Sequence, residues 1–176
     1  MSASLIEQVI RLENHDDLHS IRLLILINAL AGKKNETKIA ISTLSKFDFI
    51  LRYPIVLERS LIQLNVIKNF EISEAERNSI ETEMLAFSYS PWSSEFRKLL
   101  VLLSARALII WKVNGKQIEL SLTDLGKELC DQVVLIDEFV DILKQSKVIK
   151  SSFANLSIAK LDSLLTFVIR YTNMKN

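Results

Sequence analysis

The chain has 176 residues, 22 Lys plus Arg against 21 Asp plus Glu, 49% hydrophobic residues and a single cysteine. That length suits one domain with its own core, and one cysteine excludes both a disulfide framework and a cysteine-rich metal site. Balanced charge argues against a dedicated, free-standing nucleic-acid binder, whose affinity comes mostly from neutralising phosphates, while the high apolar share suits equally a subunit that covers surface with a partner and a well-packed helical domain.

Three Gly and two Pro leave little to interrupt helices, so helices should dominate. Leu5, Ile6, Val9, Ile10 and Leu12 predict a short amphipathic helix interrupted near Asn14. A second helix follows over about 16–31, with Gly32 in the left-handed position after it. Residues 21–27 are apolar on nearly every side, so this helix should be buried. The longest apolar run is too short to cross a bilayer, and no basic segment leads into an apolar one at the start. The expectation is a cytoplasmic protein with no membrane partner.

Beyond a polar loop, Ser42 should cap a helix carrying Leu44, Phe47, Phe49, Ile50 and Leu51. Tyr53-Pro54 ends it, since a residue before proline avoids the helical region, and Pro54 suits the first turn of the next helix. Two short helices hinged there read as a helix-turn-helix. Ser73-Glu74-Ala75-Glu76 is a capping box, Ser90-Pro91-Trp92 breaks the chain, and Ser93 or Ser94 opens a helix with Phe96, Leu99, Leu100 and Leu103 on one face.

Two alternating segments, 108–113 and 116–122, flank Asn114-Gly115, the dipeptide favoured by a two-residue type I′ turn. That turn pairs Val113 with Lys116, Trp111 with Ile118 and Ile109 with Leu120. The apolar residues then share one face, Lys112, Gln117 and Glu119 take the other, and Trp111 falls in the core. Thr123 should cap a helix with Leu125, Leu129, Val133 and Ile136 on one stripe. A short helix near 139–143 and a long one capped by Ser157 complete the chain. The expected fold is mostly α: a single domain over 1–176, with a winged-helix-like core at 16–136 whose hairpin is the wing. N-terminal helices and a helical extension at 137–176 flank that core.

Catalytic chemistry finds no footing. His15 and His19 share one helical face, the spacing of a zinc site, but the acid between them is Asp16 and no third histidine exists. Asp16 and Asp17 instead suit the first turn of a helix. Cys130 reads as a quiet structural thiol. No Gly-x-Ser-x-Gly occurs, and the scattered glycines form no phosphate loop. Gly126, early in a helix, reads as a close-packing position. The expectation is a protein that is not an enzyme, with no cofactor and no metal.

Arg97, Lys98, Lys112 and Lys116, on the helix before the hairpin and on the wing, are candidate contacts to DNA phosphates. Arg106, Lys46, Arg52 and Arg59 add to this basic set, yet the helix offers no Asn or Gln to read adenine. Protein docking is therefore preferred over DNA reading. Tyr53 and Pro54 at the hinge, and Trp92 after the break, are the candidate partner-facing residues, since aromatics concentrate at binding hot spots. For Trp92 a packing anchor is the slightly stronger reading.

Several segments carry a family resemblance over most of the chain: the run Leu44-Ser45-Lys46-Phe47-Asp48-Phe49-Ile50-Leu51-Arg52-Tyr53-Pro54 with Glu58-Arg59, Tyr89-Ser90-Pro91-Trp92, Leu120-Ser121-Leu122-Thr123-Asp124-Leu125-Gly126, and Phe153-Ala154-Asn155-Leu156-Ser157. In that order they resemble the small middle component of bacterial three-component ABC-ATPase systems, closest to the accessory subunit of Lamassu-type antiphage and antiplasmid defence complexes. Such proteins usually have glycine where this chain has Ser90. The resemblance implies a non-catalytic subunit on an SMC/Rad50-like ABC ATPase, beside a nuclease effector. It would help the complex engage double-stranded DNA or restrain the effector. The alternative is a winged-helix transcriptional regulator that binds duplex DNA itself.

Overall fold

The structure, a computed structural model, describes residues 5–31, 38–66, 72 and 93–173. One continuous helix, α1 (Leu5–Ala31), runs where two were expected. Asparagine in a helix interior costs at most about 0.7 kcal/mol relative to alanine, so Asn14 alone cannot end it. Asp16 and Asp17 consequently sit inside the helix, not in a first turn, which corrects the role expected of them. Leu23, Leu24, Ile25, Leu26 and Ile27 are all buried, as a helix without a polar face requires. Gly32, the capping box at 73–76 and Ser90-Pro91-Trp92 lie outside the described residues.

Strand β1 (Ile39–Ala40) leads directly into α2 (Ile41–Arg52). Ser42, expected as the cap, instead lies within α2; Ala40 holds the N-cap position without a side-chain bond. Pairing in a sheet already extends the backbone at Ala40, so the helix starts straight from the strand. Pro54 occupies the first turn of α3 (Pro54–Gln63), as expected. Between α2 and α3, Tyr53 is buried, its ring 5.0 Å from that of Phe49.

Helix α4 (Ser94–Ala105) buries Phe96, Leu99, Leu100 and Leu103, and Ser93 Oγ accepts from the Phe96 N–H at 3.1 Å. It closes with a Schellman pattern: Leu108 N–H donates to Leu103 O (2.9 Å) and Ala107 N–H to Ser104 O (2.9 Å). Ala107 takes the left-handed conformation, φ 55°, that glycine usually supplies there.

The hairpin forms from β2 (Ile109–Asn114) and β3 (Gln117–Leu122), with a register different from the expected one. Asn114 faces Gln117, Val113 faces Ile118, Trp111 faces Leu120 and Ile109 faces Leu122. The two-residue loop is Gly115-Lys116, and only Gly115 has positive φ, at 61°. This is the type II′ pattern with glycine first, rather than the type I′ Asn-Gly turn. Asn114 stays in the strand, where its Nδ2 donates to Glu119 Oε1 at 3.0 Å. A slip of two preserves the faces, so the expected segregation of Lys112, Gln117 and Glu119 from the apolar residues holds. β1 joins β3, with Ile39 opposite Leu120 and Ala40 opposite Glu119, giving a three-stranded antiparallel sheet of order β1-β3-β2.

Thr123 caps α5 (Asp124–Val133): its Oγ1 accepts from Gly126 N–H at 2.9 Å and donates to Ala107 O at 2.7 Å. The inward stripe of α5 is Gly126, Cys130 and Val133, whereas Leu125 and Ile136, expected on it, are exposed. The helix is rotated because its first turn presses against the Leu108 carbonyl, an approach open only to glycine. After a 3₁₀ turn, Asp137–Phe139, the helix expected near 139–143 is the beginning of α6 (Val140–Phe153). Buried Gln145 and Ser146 interrupt its apolar stripe and shorten it to the eye. Ser157 Oγ accepts from Lys160 N–H at 3.3 Å and opens α7 (Ile158–Asn173). α6 packs on α1, α7 packs on α3, and Phe153, Leu161 and Leu165 share one core with Leu23, Leu44 and Phe96.

One ionic cluster lies inside this assembly. Asp48 on α2 is 2% exposed and sits between Arg52 (2.8 Å, one turn along α2) and Arg22 of α1 (3.5 Å). Arg22 NH1 also meets His19 Nδ1 at 2.7 Å.

Candidate interaction surface

Because α4 buries every third or fourth residue, its outer face carries Arg97, Lys98, Val101 and Ala105. Of the cations there, Lys98 forms an ion pair with Asp16 of α1, and Arg106, just past the helix, pairs with Asp17 at 2.6 Å. These pairs bridge 82 and 89 residues of sequence, so no local signal could reveal them. Each is exposed and contributes at most about 1 kcal/mol to stability. Their electrostatic effect is larger in consequence: two carboxylates neutralise two of the five cations, Arg97, Lys98, Arg106, Lys112 and Lys116, that this helix and the wing offer to phosphate. Glu95, in the first turn of α4, is held below the usual carboxylate range by a backbone N–H at the helix start, by the hydroxyls of Ser94 and Ser93, and by the charge of Arg52.

Arg97, Lys112 and Lys116 are exposed, the latter two on the hairpin. Lys112 stands opposite Glu119 across the strands. The hairpin is buried only at its base, where Ile109, Leu120 and Leu122 enter the core. Its distal half is largely uncovered, with Val113 72%, Ile110 55% and Trp111 40% exposed and Ile118 also at the surface. Trp111, expected in the core, therefore lies at the surface. Its indole N–H donates to Ser104 Oγ at 2.8 Å, which holds the ring against the last turn of α4. Val101, also exposed, lies one turn before Ser104 on the same helix and extends this apolar surface. A second set of exposed apolar residues, Val134, Leu135 and Ile136, occupies the turn between α5 and the 3₁₀ segment.

The other expected interface residues are placed differently. Tyr53 is in the core, Pro54 is half-buried, and Trp92 lies outside the described residues. Sequence reasoning missed the hairpin tip, because a two-residue slip of register and the reach of α4 decide which half of an alternating strand finds cover.

Among the described residues, no group of three or more His, Cys, Asp or Glu side chains is placed to hold a metal ion, and no helix is long and apolar enough to cross a membrane. Cys130 is buried against α1, its Sγ 3.7 Å from Leu24 O, and burial, reinforced by the charge of Asp131, pushes the thiol up to about 12. In the folded chain it should resist a thiol reagent such as Ellman's at pH 8 and react fully once guanidinium unfolds the protein. The unfolded thiol ionises near its ordinary value of 9.0 and the folded one near 12, so this group's contribution is complete below pH 9 and is lost across that window. The loss amounts to about 1.4 kcal/mol per pH unit above 9. Cys130→Ser should remove that alkaline component; an unchanged stability profile would show that the thiol is not sequestered.

Comparison with protein families, curated proteins and solved structures yields no match.

Proposed function

We propose that this chain is a non-catalytic accessory subunit, a winged-helix-like module that docks protein instead of reading DNA, in a cytoplasmic SMC/Rad50-like ATPase–nuclease defence complex. One observation carries the docking half of this reading. The helix before the hairpin spends Lys98 and reaches Arg106 in pairs with its own N-terminal helix, while the hairpin offers Ile110, Trp111, Val113 and Ile118 to the outside. Phosphate binding needs uncommitted cations; protein docking needs exposed apolar and aromatic anchors. The winged-helix comparison is supported by the sheet order β1-β3-β2, with the pair α2–α3 and then α4 lying between β1 and the hairpin.

The choice of partner rests on the resemblance carried by residues 44–54 and the three segments after it. In such a complex, ATP hydrolysis and nuclease chemistry belong to the other subunits, and this chain needs no cofactor. Duplex DNA would be met through the assembly, with Arg97, Lys112 and Lys116 available at its margin.

Purification of the tagged chain from native cells tests this. A large coiled-coil ABC ATPase and a nuclease should be recovered with it in comparable amounts. Arg97→Glu, which leaves the Lys98–Asp16 pair in place, should leave that recovery intact while weakening DNA engagement by the assembly. Recovery of the chain alone, together with steep salt-dependent binding of the isolated chain to a DNA duplex, would overturn the reading in favour of a transcriptional regulator.

A further inference from the structure

We propose that the outer edge of the hairpin, strand β2, is a docking rail that takes up an extended, apolar–acidic segment of a partner protein as an added strand. This rests on reading the hairpin surface as a protein-docking site and names how the partner is held.

The backbone supplies the first half of the argument. β3 lies between β1 and β2, so among the described residues β2 is an open edge. The loop has two residues, which makes Asn114 and Gln117 a hydrogen-bonded pair and fixes the alternation behind them. Ile110 and Lys112 then turn their N–H and C=O toward β3, while Trp111 and Val113 turn theirs outward. Edge strands that must stay unpaired are short, bulged, proline-bearing or heavily charged. β2 runs six residues as a regular ladder with one charge, Lys112. Lys112 is its one guard, and neither proline nor a bulge interrupts it.

Side chains set the chemistry of the occupant. On one face, Trp111 and Val113 are exposed, with Trp111 held on Ser104 of α4, one helical turn from the exposed Val101, so an incoming strand should present β-branched or other apolar residues there. On the other face stands Lys112, with Lys116 at the tip, both exposed. Glu119, opposite Lys112 in the ladder, is half-buried with its Oε1 held by Asn114. Two exposed cations against one half-buried carboxylate leave the rim cationic, which suits glutamate or aspartate at the position opposite Lys112. A second copy of this chain would bring the same cationic rim against itself, which argues for an acidic partner rather than self-pairing.

The test uses the full chain, isotope-labelled, and a synthetic octapeptide alternating valine with glutamate and threonine. Binding should slow amide exchange at Trp111 and Val113 and leave Ile110 and Lys112, already bonded to β3, unchanged. The same peptide with lysine in place of glutamate should bind about tenfold more weakly, a difference of about 1.4 kcal/mol. Val113→Pro removes an outward N–H without touching the bonds to β3 and should lower affinity at least about tenfold. Lys112→Glu, on an exposed side chain, should reverse the preference between the two peptides. Absence of peptide binding, protection of Trp111 and Val113 in the free chain, or a dimer that forms without peptide would each overturn the proposal. Should the chain co-purify with its ATPase while the β2 amides stay exposed in the complex, the edge proposal alone fails. Should a DNA duplex displace the peptide and shift Arg97, Lys112 and Lys116, the protein-docking reading fails with it.

Discussion

Gly126→Ala will destabilise the folded chain by about 3 kcal/mol, the reverse of what helix propensity predicts. In the interior of an exposed helix the same change stabilises by about 1 kcal/mol, because alanine is the better helix former. Here a Cβ at position 126 would stand 2.1 Å from the Leu108 carbonyl oxygen and 3.0 Å from its carbon. Both are backbone atoms, held by the Schellman closure of α4 and by the Thr123 N–H, which donates to the same Leu108 oxygen at 3.1 Å. No flexible side chain can yield, so α5 must move away from the α4–β2 turn. Doing so breaks the Thr123 cap and lifts Cys130 from Leu24. Urea unfolding of wild type and variant decides the sign. A variant as stable as wild type would mean that α5 does not press on Leu108, and the rotated stripe of α5 would need another cause.

Asp48→Ala should cost 3–5 kcal/mol, a magnitude of about that size being typical when one member of a buried ion pair is removed. Asp48 is the carboxylate that Arg22 and Arg52 share, and Arg22 is itself only 9% exposed. Its loss leaves positive charge concentrated between α1 and α2, with the ring of His19 beside it. Asp48→Asn keeps the shape and one hydrogen-bond acceptor, so its loss should be smaller. Adding Arg52→Ala to Asp48→Ala should recover part of the deficit, since one of the crowded charges is gone. Thermal and urea unfolding of the four proteins would measure this. Equal stability of wild type and Asp48→Ala would show the cluster to be decorative.

Much of this molecule was legible where a signal and its consequence lie within a few residues. Ser93, Thr123 and Ser157 cap the helices they precede because a side-chain oxygen needs only an N–H three residues on. Pro54 starts a helix because its own ring sets its φ. The amphipathic face of α4 and the existence of a hairpin at Gly115 follow from periodicity and turn chemistry. Where sequence reasoning went astray, the deciding partner was distant. Strand β1 is two residues long and is a strand only because β3 stands beside it. The Asn-Gly and Gly-Lys turns were both open to the loop, and the second prevails in a sheet where Trp111 sits opposite Leu120 and leans on Ser104.

The candidate site divides the same way. That α4 and the hairpin carry Arg97, Lys98, Lys112 and Lys116 is plain from the chain, and so is the alternation of apolar residues along β2. By itself the sequence determined that helices dominate, where α2, α3, α4 and the hairpin lie, which side of α4 is apolar, and that no familiar catalytic motif is present, because these depend on neighbours along the backbone. Only the tertiary structure decided that Lys98 and Arg106 are paired with α1, that Asp48 is buried between two arginines, and that half of an apolar strand is left uncovered. Charge pairing and burial depend on what lies across space, and here the partners are separated by up to 89 residues of chain.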